Sequence, residues 1–143
     1  MGLSGKRRLL GRSLFGSHPK QVASAGVTPQ KCRATAPVKS PYTTTYIGYW
    51  GSSADGPTHL IIQINKVSNA ASLSTFKALM KRRRGWVASP AKVAGVGSIA
   101  YEARTSDIGQ LQFIAGSYFV GLSLYSKSPA QVTALAKAVA AKL

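Results

Sequence analysis

Three runs near the C-terminal end, Ser98–Ala103, Gln110–Ala115 and Tyr118–Tyr125, lie too close together for anything but antiparallel pairing. Parallel strands need a crossover of about a dozen residues or more, whereas antiparallel neighbours close through a short turn. Thr105-Ser106-Asp107 and Gly116-Ser117 supply turn-forming residues between the runs. Within them Leu111/Phe113 and Val120/Leu122/Leu124 recur at every second position, as side chains buried on one sheet face must.

The same reading extends upstream. Tyr42 to Trp50 is rich in Thr, Tyr and Ile, a strand composition, and His59 to Asn65 places Leu60, Ile62 and Ile64 on one side. Gly51 to Pro57 between them reads as a hairpin loop. Arg33 to Val38 forms a first short strand, confined to an edge by Pro37 and Pro41. Ser68 or Asn69 caps a middle helix carrying Leu73, Phe76, Leu79 and Met80, with Gly85 placed to stop it; Trp86 to Val96 reads as a linker. A last helix opens on Ser128 and Gln131 as a capping box, with Pro129 at its first position, and shows the stripe Val132, Leu135, Val139, Leu143. Leu9, Leu10, Leu14 and Phe15 make a short N-terminal helix ending at Gly16. The expected fold is α+β: an antiparallel sheet of about five to six strands with all three helices on one face. Residues 1–143 make one domain, of which 1–20 form a basic leader.

Charge restricts the chemistry. The 143 residues hold 19 Lys+Arg against three acids, Asp55, Glu102 and Asp107, for a net charge of +16. Such a chain attracts nucleic acid, anionic lipid or cell-wall polyanions. The cations cluster in residues 1–40 and in the run Lys81-Arg82-Arg83-Arg84, followed by Gly85 and Trp86. That run is either a phosphate-gripping loop with Trp86 as a stacking platform or a solvated helix end suited to the helix dipole. Tyr42, Tyr46, Tyr49 and Trp50 cannot all point inward from one strand, so some are free to line a partner surface.

Catalysis finds little footing. One Cys and two His do not make a structural zinc site, and three acids do not make a calcium or magnesium cluster. Gly95-Val96-Gly97-Ser98-Ile99-Ala100 matches the dinucleotide pattern formally, but a strand follows it where a helix is required, and no acid stands about 20 residues on. The glycines serve instead to turn the chain tightly into the next strand. No nucleophile elbow or P-loop occurs, and His59 lies opposite Leu60 and Ile62 in the strand alternation, an ordinary solvent-facing place. The expectation is a non-enzyme without cofactor or metal.

The N-terminus offers fragments of targeting signals but completes none. Lys6 stands where myristoylation wants Ser or Thr, and Arg12 interrupts the apolar stretch after Arg7-Arg8. The acid-free leader also has the composition of a transit peptide. Cys32 is either a small buried hydrophobe or half of a disulfide whose partner was lost with an absent N-terminal segment.

Val93-Ala94-Gly95-Val96-Gly97-Ser98-Ile99-Ala100-Tyr101, Ala115-Gly116-Ser117-Tyr118-Phe119-Val120 and Ser128-Pro129-Ala130 before a Leu/Ala helix together resemble a class of small actinobacterial-type envelope lipoproteins and secreted domains, PsbP-like in shape. Leu3-Ser4 to Leu9-Leu10-Gly11 is similar to the leader helix of that class, and Cys32 falls where its second cysteine begins a strand. The chain departs from the pattern at Ser98, where the class carries an acid, and in lacking the first cysteine before Leu3. The resemblance implies an extracytoplasmic α+β domain if the N-terminus is truncated, and a cytoplasmic one otherwise. It implies no catalytic residues. The expected partner is an anionic surface, cell wall or membrane headgroups, or another protein, contacted through Lys81, Arg82, Arg83, Arg84 and Trp86; the alternative is a nucleic-acid binder using that run and the basic leader.

Overall fold

A computed structural model describes residues 32–34, 38–39, 43–51 and 58–143, with side chains at 44–45 and 60–143. The N-terminal helix and leader expected from the sequence lie outside the described residues. The elements run β1 (Cys32–Ala34), β2 (Val38–Lys39), β3 (Thr43–Gly51), β4 (Thr58–Val67), α1 (Ala70–Met80), β5 (Ala91–Val93), β6 (Ile99–Arg104), β7 (Ile108–Ala115), β8 (Tyr118–Tyr125) and α2 (Val132–Ala140). The eight strands form one sheet in the order β1-β3-β4-β8-β7-β6-β5, with β2 beside β1 on β3. Every described pairing is antiparallel. The α+β class with a middle and a C-terminal helix is as expected. The strand count is higher than expected because the first strand is split in two and because β5 occupies part of the segment read as a linker.

Period-two alternation builds the main core. Leu60, Ile62 and Ile64 of β4 stand opposite Leu124, Leu122 and Val120 of β8, and Leu111 and Phe113 of β7 stand opposite Leu122 and Val120. These side chains pack with Val132, Leu135, Ala136 and Val139 of α2 in one buried cluster. The residues between them point to the other face, and there α1 lies. Phe76 of α1 stacks on Phe119, the neighbour of Val120, with ring centroids 4.4 Å apart and planes at 9°. Val67, Met80, Trp86, Ala103 and Ile114 are buried outside the α2 cluster. The two helices therefore cover opposite faces, which corrects the expectation that both lie on one. The reason is that β4 and β8 carry apolar groups on both sides, Val67 and Phe119 as well as Ile64 and Val120, so one helix cannot shield the sheet.

Local chemistry sets the ends of the helices. Asn69 caps α1, its Oδ1 accepting from the Ser72 amide at 2.8 Å. The capping box expected at Ser128 does not form. Pro129–Gln131 adopts a 3-10 turn, the Ser128 side chain makes no cap bond, and its amide donates to Ser126 Oγ at 3.0 Å. The chain passes so close to β7 here that a Cβ on Gly109 would lie 2.3 Å from the Pro129 carbonyl oxygen. Gly95 and Gly97 have φ of 80° and 55°, and they turn the chain into β6.

Candidate anion-binding groove

The run Lys81–Arg84 begins where α1 stops. Met80, the last helical residue, is fully buried, and the Lys81 and Arg82 amides both reach back to the Leu79 carbonyl. Gly85 lies beyond the helix rather than capping it, with φ of 88°, which only glycine adopts cheaply. This conformation swings Trp86 back toward the sheet, where the residue is 5% exposed. Two further bonds fix the turn: the Trp86 carbonyl accepts from the Arg83 guanidinium, and the Val87 amide donates to Gln110 Oε1 at 2.8 Å.

The four cations consequently have different places. Arg83 stays exposed but turns its guanidinium back onto the Trp86 carbonyl, a clasp on its own loop. Arg82 and Arg84 line a groove of about 410 Å³ together with Phe76, Leu79, Trp86, Gln112 and Phe119. Lys81 is exposed and does not line it. Of the site residues expected from the sequence, the structure thus brings together Arg82, Arg84 and Trp86. Trp86 forms part of the wall, and a ring so buried offers no free face for stacking a base. Cys32 lies in β1, opposite Trp50 on β3, and its side chain is outside the described residues.

Phe76, Leu79, Gln112 and Phe119 are groove residues that the sequence reading did not assign to a site. Alternation alone places Phe119 on the face opposite Val120, in line with Gly121 and Ser123, and an aromatic there is the signal that was open to use.

No described acid lines the groove. Glu102 is held by Arg104 at 3.1 Å and by the Thr133 hydroxyl at 3.3 Å, and Thr133 belongs to α2 on the far face. Asp107 pairs with Lys127 at 2.8 Å. Neither Arg82 nor Arg84 has a side-chain hydrogen-bond or ion-pair partner among the described residues. Two unneutralised guanidinium groups beside an apolar wall suit a ligand with an anionic head and an apolar body. Among the described residues no three His, Cys, Asp or Glu stand close enough to share a metal ion, and no helix is long and apolar enough to cross a membrane.

No protein-family model, curated protein or solved structure matches this chain.

Proposed function

We propose that this chain is a non-enzymatic binding domain that holds an anionic partner at the groove after α1. The observation that carries this reading is the pair Arg82 and Arg84, without a side-chain partner among the described residues, lining an aromatic groove in a chain of net charge +16. Between Asp55 and Glu102 the sequence contains no acid, so nothing within that stretch offsets their field. An extracytoplasmic setting belongs to the same proposal. Its support is the similarity of 93–101, 115–120 and 128–130 to secreted and lipoprotein domains, with Cys32 as the candidate disulfide half. An in-frame upstream extension encoding a signal peptide and a second cysteine favours that setting, and a ribosome-binding site directly before Met1 argues against it.

The test of the site is binding to a polyanion as a function of salt. Removing one cation that neutralises a phosphate lowers the slope of log affinity against log salt by roughly 0.7 to 0.9. Replacing Arg82 and Arg84 together by Ala is expected to lower the slope by between one and two, whereas an unchanged slope rejects the groove as the site. A second reading, single-stranded nucleic acid, draws on the half-buried Phe76 and Phe119 rings beside the same arginines. It predicts that RNA competes for the groove and that Phe119→Ala weakens RNA binding as much as losing an arginine.

A further inference from the structure

We infer that the groove end of α1 is a docking surface for an anionic lipid bilayer, with Leu79 entering the headgroup–acyl boundary and Arg82 and Arg84 holding a lipid phosphate. This rests on the anion-binding reading above and narrows it to one partner.

Among the described residues Leu79 is one of two large hydrophobic side chains left open to solvent, at 45% exposure, and Tyr125 is the other. Leu79 occupies the last turn of α1 and forms part of the groove wall between Phe76 and Arg82. Two exposed cations share the groove lining with it, Arg82 three residues on and Arg84 in the turn, whereas Lys77 and Lys81, two residues to either side, project from the other side of the helix end. An exposed apolar side chain beside two cations, with no acid among the described groove residues, is the arrangement that binds an interface rather than bulk polyanion. A rigid polyanion engages the arginines and leaves Leu79 in water, whereas a bilayer satisfies both.

Charge also excludes the occupants that the chain itself offers. Residues 1–40 carry eight cations and no acid, and a second copy would bring the same basic turn against its mate. Both meet repulsion from Arg82 and Arg84, while an anionic headgroup meets attraction.

The experiment is co-sedimentation of the full chain with vesicles of phosphatidylcholine alone and of phosphatidylcholine mixed with phosphatidylglycerol. Binding is expected only to the mixed vesicles. Leu79→Ser is expected to reduce the partition coefficient about tenfold, because one leucine side chain no longer leaves water. Arg82→Ala with Arg84→Ala is expected to reduce it about thirtyfold at low salt. Lys137→Ala with Lys142→Ala removes the same charge from the α2 end of the molecule and is expected to cost no more than about threefold. If Leu79→Ser binds as the parent does, or if the two double variants are weakened equally, the docking surface is refuted. Binding to RNA or to a cell-wall polyanion without binding to the mixed vesicles refutes it too, while leaving the anion-binding reading standing. Failure to bind all of these refutes both.

Discussion

The Phe76 ring lies flat on the Phe119 ring, 4.4 Å away and 9° from parallel, and this stacking fastens α1 to the sheet face turned away from α2. It also forms the floor on which the groove residues stand. Val67 and the buried Met80 belong to the same side, so the second face has a small core of its own.

Because each ring is half-buried, Phe76→Ala is expected to cost about 2 kcal/mol, less than truncation of a fully buried phenylalanine. A double-mutant cycle with Phe119→Ala isolates the stacking itself, with an expected coupling of about 1 kcal/mol in urea denaturation. Additive losses contradict the stacked geometry.

Gly97 and Gly116 have nearly the same φ, 55° and 58°, in different surroundings. A Cβ on Gly97 would stand 2.3 Å from the Ile114 carbonyl oxygen, while one on Gly116 meets nothing within 4 Å. Gly116→Ala therefore carries the left-handed backbone penalty alone, about 1 kcal/mol. Gly97→Ala adds a collision with sheet backbone and is expected to cost about 3 kcal/mol. Equal losses in thermal or urea unfolding contradict the close approach at Gly97.

Asp107 titrates below the ordinary carboxylate value of 3.8, first because it accepts a hydrogen bond from Lys127 and second because of that residue's charge. The Lys127 ammonium is correspondingly raised above 10.5. By linkage, the Asp107 contribution to stability is present above the ordinary carboxylate pKa and fades as pH falls through the lower folded value. The Lys127 contribution is present below its ordinary pKa and fades as pH rises through the raised one. Both groups are exposed, so titration by NMR reports the pair better than a melting point does. Lys127→Ala is expected to return Asp107 to the ordinary range; an unmoved midpoint contradicts the pairing.

The legible part of the fold is the part where one alternation dominates. Leu60/Ile62/Ile64 and Val120/Leu122/Leu124 announce a buried face, and the Gly116-Ser117 turn sets their partner strand. A cap at Ser68 or Asn69, of which Asn69 serves, and the bounds Tyr118–Tyr125 follow from the same local chemistry. The placement of α1 was not legible, because its Leu73, Phe76, Leu79 and Met80 stripe fits either face. What decides is the set of residues between the core positions, where Val67 and Phe119 are apolar but Gln63 and Gln112 are not, so no clean period marks a second buried side. The strand β5 has three residues after Pro90, too few to carry a pattern. At the site, the cationic run was plain from composition, yet its division into a clasp, Arg83, and two groove cations, Arg82 and Arg84, depends on the turn at Gly85.

The place where an anionic amphiphile meets the chain is best read by amide shifts. The isotopically labelled full chain is titrated with short-chain phosphatidylglycerol below its micelle concentration. Saturable shifts gathered at Leu79 to Val87, Gln112 and Phe119, with the amides of Val132–Ala140 unmoved, are the predicted result. Shifts centred on Val132–Ala140, or spread evenly over every lysine and arginine, contradict the groove as the binding site.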